Sequence, residues 1–133
     1  MKFFKPTLIF LSIMFFNLGC EDNWDCLCTE EFVTYYVTVV DSLGEPVDSL
    51  ITSVTNDRGK RYDFGQVEPP PYMLGTYVVM TDGFKSDFSS RQGKVFFTGI
   101  KNNKTATAEF FFKTDKCNCH VNMVAGPDTL ILK

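Results

Sequence analysis

The sequence has few of the residues from which active sites are built. Its 133 residues include one histidine, His120, and neither a glycine-rich phosphate loop nor a nucleophile-elbow motif. Any Ser-His-Asp or Cys-His arrangement would therefore have to use His120. The sequence predicts a protein that is not an enzyme and needs no cofactor, with a hydrolase built around His120 as the alternative.

The sequence also lacks the positive charge that nucleic-acid binding requires. Thirteen Lys and Arg residues stand against 16 Asp and Glu residues, and no basic stripe is present. This balance argues against a nucleic-acid partner.

No apolar run is long enough to span a membrane. The longest, Leu8–Leu18, covers about ten residues, whereas a membrane-spanning helix needs about 20. Lys2 and Lys5 precede the run, and Cys20 followed by acidic residues ends it. This order predicts a secretory signal that ends at a cysteine instead of an Ala-x-Ala cleavage site.

The end of the signal, Leu18-Gly19-Cys20, resembles that of bacterial lipoprotein precursors, although Asn17 stands where a leucine is usual. The resemblance implies a signal peptide over residues 1–19 and an acylated Cys20 that holds the mature chain in the outer membrane of the cell envelope. Glu21 and Asp22 resemble a surface-export tag and fit a solvated acidic tether equally well.

The remaining cysteines form two Cys-x-Cys pairs. Once Cys20 carries lipid, the odd total of five leaves an even four: Cys26, Cys28, Cys117 and Cys119. In an oxidising compartment we expect disulfides between the two pairs, since a bridge inside either Cys-x-Cys would be cramped. The alternatives are free or redox-active thiols and a soft-metal site for Zn²⁺ or Cu(I) that uses the four thiolates or three of them with His120.

Residues 20–31 read as a short acidic tether and residues 32–133 as one domain. Without the signal, 11 basic residues face 16 acidic ones, a formal charge of -5. The domain sequence alternates apolar and polar residues with a period of two, as in Val37-Thr38-Val39, and turn residues separate the runs. The later runs predict strands over residues 72–81, 94–101, 105–114 and 117–124, with a turn at Asp82-Gly83 and a hairpin at Asn102-Asn103-Lys104. On the run at 105–114, Ala106, Ala108, Phe110 and Phe112 share a face that we expect to point inward. The pattern predicts an all-β protein, an antiparallel β-sandwich of about seven strands of transthyretin or immunoglobulin type, or alternatively a small β-barrel.

The stretch from Val37 to Val47, with its Asp41-Ser42-Leu43-Gly44-Glu45-Pro46 turn, resembles the opening of carboxypeptidase-regulatory-like domains. That resemblance implies a transthyretin-like sandwich. Members of the family are accessory or binding modules, and none of their residues is carried over here as catalytic.

The sequence therefore predicts a non-enzymatic, membrane-anchored binding or accessory module whose partner is a protein or a glycan. The glycan alternative depends on exposed aromatic rings, for which the candidates are Tyr35 or Tyr36, Tyr62 and Tyr72. Three tripeptides resemble an O-glycosylation acceptor of the form Asp-Ser/Thr-aliphatic: Asp41-Ser42-Leu43, Asp48-Ser49-Leu50 and Asp128-Thr129-Leu130.

Overall fold

The computed structural model describes residues 26–133, and these are almost entirely β-structure. The predicted signal peptide and Cys20 lie outside the described residues. The strands are β1 (Thr34–Val40), β2 (Ile51–Asn56), β3 (Arg61–Tyr62), β4 (Thr76–Thr81), β5 (Gly93–Lys101), β6 (Lys104–Thr114), β7 (Val121–Ala125) and β8 (Thr129–Ile131). A short 3₁₀ helix, Asp82–Asp87, follows β4.

The strands form two sheets that pack as a β-sandwich, so the prediction of an all-β sandwich is confirmed. One sheet has the order β4-β1-β8 and the other the order β3-β2-β5-β6-β7. Within residues 26–133 the two sheets do not join into a barrel. This part of the chain has eight strands, and one pairing differs from an all-antiparallel arrangement because β8 lies parallel to β1. This happens because the chain crosses from β7 in the larger sheet to β8 in the smaller one.

The core lies between the sheets and is filled by aromatic and branched side chains. The predicted inward face of β6 is confirmed: Ala106, Phe110 and Phe112 are buried and Ala108 packs against them. The largest side chains without exposed surface are Phe97, Phe110, Phe112 and Met80. Burying a side chain of this size stabilises the fold by about 1.5–3 kcal/mol before cavity effects are counted.

Two strands begin later than their sequence pattern predicts. The run at 72–81 becomes extended only at Thr76, since Gly75 has a positive φ of 66° and no room for a Cβ beside Pro46. The run at 117–124 becomes a strand only at Val121, because residues 115–120 form a turn in which Asn118 has a φ of 55°. Cys117 and Cys119 therefore lie on a turn and not on a strand. The hairpin at Asn102-Asn103 is present, with both φ values positive as a tight hairpin requires.

The two sheets share the same two ends, which we call proximal and distal. The proximal end comprises residues 26–33, 82–92 and 115–121, and there Val33 before β1 meets Asp82 after β4. The distal end comprises residues 41–50, 70–75, 102–103 and 132–133. There Leu132 donates to the carbonyl of Val40, and Lys133 pairs with Thr105 at the start of β6.

Candidate functional site

Two disulfides close the proximal end of the sandwich. Cys26 is bonded to Cys117 and Cys28 to Cys119, each across 91 residues and with 5.3 Å between the Cα atoms. The expectation of disulfides between the two Cys-x-Cys pairs is confirmed, and the pairing runs first to first and second to second. The second half of the predicted tether, residues 26–31, is thus held against the domain.

The turn that carries Cys117 and Cys119 is held by Asp115. One oxygen of its carboxylate accepts from the N–H of Cys119 at 2.7 Å and the other from the N–H of His120 at 3.2 Å. Lys85 of the 3₁₀ helix donates to the carbonyl of Cys119 at 3.1 Å. These contacts fix the direction of the turn, so both sulfurs face the incoming N-terminal segment.

The buried carboxylate of Asp82 joins three parts of the chain at the proximal end. It accepts from the N–H of Val33 at 2.9 Å and from the N–H of Val121 at 2.8 Å, and so ties the starts of β1 and β7 to the end of β4. The ring of His120 donates to it from Nδ1 at 2.7 Å. With the proton on Nδ1, Nε2 of a neutral ring accepts from the Thr29 hydroxyl at 2.9 Å. We call the disulfides and this hydrogen-bonded group together the proximal clasp.

The pKa of Asp82 is set by two opposing causes. Burial raises the pKa of the carboxyl, but the hydrogen bonds from the His120 ring and from the N–H groups of Val33 and Val121 outweigh it and hold the pKa below its ordinary value. A carboxyl whose pKa is lower in the folded than in the unfolded chain stabilises the fold above an unfolded pKa of about 4. That stability is lost as the pH falls through the lower, folded value.

The order Thr29–His120–Asp82 is that of a nucleophile, a base and an orienting acid, which is the arrangement that the hydrolase alternative required. Its surroundings favour a structural role. Both oxygens of Asp82 hold backbone N–H groups, and Thr29 follows a disulfide-bonded cysteine in the fastened segment. Sequence reasoning singled out His120 and missed Thr29, Asp82 and Asp115. The only signal for Asp82 was the Asp82-Gly83 pair, which was interpreted as a turn.

The disulfides also bear on the soft-metal alternative. A metal site made from Cys26, Cys28, Cys117 and Cys119 needs free thiolates. All four sulfurs are instead used in the two disulfides. Among residues 26–133, no group of three or more His, Cys, Asp or Glu side chains could hold a metal ion. The metal alternative stays a prediction for the reduced protein alone.

The tyrosines that were candidates for a glycan platform do not lie together. Tyr62 is buried with its ring edge-on to that of Phe84. Tyr35 packs on Phe112 and donates to the carbonyl of Val121, and the neighbouring Tyr36 is half-buried on β1. Tyr72 is exposed, at the distal end. The three candidate acceptor hydroxyls of Ser42, Ser49 and Thr129 are on exposed residues.

The distal end has a different surface, in which large apolar side chains face solvent. Of the ten exposed among residues 26–133, seven lie at or beside it: Leu43, Ile51, Tyr72, Met73, Leu74, Ile100 and Ile131. Leu43 is 85% exposed, at the tip of a loop that Asp41 holds by accepting from the N–H groups of Leu43 and Glu45. Gly44 completes that loop with a φ of 83°. The apolar tip therefore stands on a hydrogen-bonded base.

Comparison with known proteins adds no relative: no family model, no curated protein and no solved structure matches this chain. Within residues 26–133, no helix has the length and apolar character needed to cross a membrane.

Proposed function

We propose that this chain is a membrane-anchored lipoprotein whose sandwich acts, without catalysis, as a binding module for a protein partner at its distal end. The observation that carries the proposal is the pair of disulfides that fastens the segment behind Cys20 to the proximal end. The anchor belongs to the proposal because it depends on the signal pattern and the cysteine parity of the sequence.

The distance between anchor and clasp is short. Cys26 is six residues beyond Cys20, and six extended residues reach at most about 20 Å. An acylated Cys20 would thus keep the proximal end close to the lipid surface. The distal end, at the far end of the strands, would then be directed away from the membrane.

The distal surface has the character of a contact site for another protein. Large apolar patches on a soluble domain indicate an interaction surface, since each exposed apolar side chain costs free energy in water. Tyr72 is 82% and Leu74 68% exposed on the loop before β4, beside the loop that presents Leu43. Loops on a rigid scaffold are the usual place for such contacts.

The anchor is tested by Cys20→Ser in cells that express the full precursor. We expect the wild-type protein to fractionate with membranes and to accumulate as precursor when the lipoprotein signal peptidase is inhibited with globomycin. The Cys20→Ser protein should lose its acyl mass and its response to globomycin. A wild-type chain without acyl mass on Cys20 would contradict the anchor.

The contact surface is tested separately with a photo-crosslinking amino acid in intact cells. It is placed at Tyr72 of the distal end and, as a control, at Glu109 on the outer face of the larger sheet. We expect one discrete adduct from position 72. Leu74→Asp should abolish this adduct, and position 109 should not form it. An adduct from position 109 alone would place the contact on the sheet face and contradict the proposal.

A further inference from the structure

A cleft opens between the two sheets on the flank of the sandwich, apart from both the proximal clasp and the apolar loop tips of the distal end. Its volume is about 600 Å³. One wall is β2 with Thr52 and Val54, the other is β4 with Tyr77 and Val78, and the segment 63–69 after β3 forms the rim. The cleft exists because β3 ends after two residues, so that at Thr52 β2 is paired with β5 on one side and with no strand on the β3 side. Clefts of 300–1,000 Å³ are the usual size for small-molecule sites.

Polar and apolar surface line the cleft in about equal parts, and the apolar part includes aromatic rings. Tyr77 contributes its ring, because its hydroxyl already donates to the carbonyl of Val47 at 2.7 Å and accepts from the N–H of Leu50 at 3.2 Å. Phe64 adds a second ring, whereas Tyr62 is only 4% exposed and offers little surface to the cleft. Burial raises the pKa of both tyrosines, so their hydroxyls stay neutral at physiological pH. This mixed lining fits a small molecule that has both a flat ring and a polar head group.

One charged group at the mouth has no partner of opposite sign among residues 26–133. The guanidinium of Arg61 lines the cleft, and its one hydrogen bond among the described residues is a long one of 3.5 Å to the carbonyl of Thr52. No carboxylate of residues 26–133 lies within 4.0 Å of it. The nearby Asp63 accepts from the N–H of Gly65 at 2.9 Å, which engages it in the turn of the rim. Arginine binds carboxylates through two parallel N–H donors, so Arg61 complements an anionic head group.

We infer that the cleft is a binding site for a small carboxylate with an aromatic body, whose ring lies between Phe64 and Tyr77 and whose carboxylate pairs with Arg61. The site would give the module a second, small-molecule ligand beyond the partner protein proposed above. It depends on neither the anchor nor the distal end.

The probe is phenylacetate, with 2-phenylacetamide as its uncharged isostere. Spectra of valine methyl groups are recorded on the full chain as it is purified from cells, with or without lipid on Cys20, during titration with each compound. We expect phenylacetate to shift Val54, Val67 and Val78 with a dissociation constant of about 1 mM, as befits ten non-hydrogen atoms. Val124 on β7 should not move. The amide should bind about tenfold more weakly, since it forms no charge-assisted pair with Arg61.

Four variants separate the effect of the charge from that of the cleft. Arg61→Gln should make the two compounds bind equally weakly, whereas Arg58→Gln, a matched exposed arginine outside the cleft, should leave the tenfold difference intact. Val67→Trp should fill the cleft from the rim and abolish the shifts of both compounds. Asp63→Asn removes a negative charge from the mouth and should leave phenylacetate binding equal or tighter.

Two results would overturn the inference. One is the absence of shifts at Val54, Val67 and Val78 up to about 10 mM phenylacetate in the wild-type chain. The other is equal binding of the acid and the amide in the wild-type chain, which would remove Arg61 from the site. Both stand apart from the anchor and crosslinking experiments, so the cleft and the proposed function can fail separately.

Discussion

The two ends of the sandwich are stabilised by different means. At the proximal end, two disulfides and a buried carboxylate fix the N-terminal segment to the starts of β1 and β7. At the distal end, hydrogen bonds within the loops hold the backbone, and large apolar side chains face solvent. The difference fits the division of roles that we propose, in which the proximal end carries the attachment and the distal end contacts a partner.

Removal of both disulfides should have the largest effect on stability. Replacement of all four cysteines by alanine frees the N-terminal segment, and the chain-entropy argument for a loop of about 90 residues gives a loss of about 4–5 kcal/mol. Urea unfolding of the variant against the wild-type chain measures it.

Removal of one disulfide alone should cost far less, about 1 kcal/mol or below, because the other bridge already closes nearly the same loop. Cys26→Ala with Cys117→Ala, and Cys28→Ala with Cys119→Ala, provide the two matched controls. If each pair alone cost as much as the four together, the bridges would not be redundant and the proposed role of the clasp would be wrong.

Asp82→Asn should have the next largest effect, a loss of about 2–3 kcal/mol near neutral pH, since an amide group cannot accept from Val33, Val121 and His120 at once. The wild-type chain should lose stability as the pH falls below about 4, because the Asp82 carboxyl takes up a proton more readily in the unfolded chain. The variant should show a shallower loss over the same range.

Thermal unfolding between pH 2.5 and 7 measures both effects. Asp57→Asn, on an exposed turn, is the control and should change stability by at most about 0.5 kcal/mol. If the stability of Asp82→Asn fell as steeply with falling pH as that of the wild-type chain, Asp82 would not be the titrating group.

Much of the β-structure could be predicted from the sequence, because period-two patterns and turn residues are local. The inward face of β6, the hairpin at Asn102-Asn103 and the disulfides between the Cys-x-Cys pairs were predicted in this way. The parallel pairing of β8 with β1 was not, since it depends on where the chain crosses between sheets.

The proximal clasp was only half predictable for the same reason. The four cysteines stand out in the sequence by their residue type, whereas Asp82 and Thr29 belong to types that are ordinary in turns and on surfaces. Their role comes from partners 38 to 91 residues away. The distal patch was not predictable either, because alternation does not show which apolar residues lie in loops.

Substitution of a distal leucine should have the smallest effect on stability. Leu74→Asp should change the free energy of unfolding by at most about 0.5 kcal/mol, since the side chain is 68% exposed, and yet it should abolish the distal crosslink. Leu27→Asp, an equally simple change at an exposed leucine of the proximal end, should leave the crosslink intact. Loss of the crosslink in both variants would remove the distinction between the ends.

The most direct test of the account is the mass of the mature chain extracted from membranes, before and after reduction. The account predicts a chain that begins at Cys20, carries acyl chains on it, and gains four hydrogens on reduction because two disulfides open. A chain with an unmodified Cys20, or one with four free thiols before reduction, would contradict the claim that the lipid anchor and the proximal clasp act together.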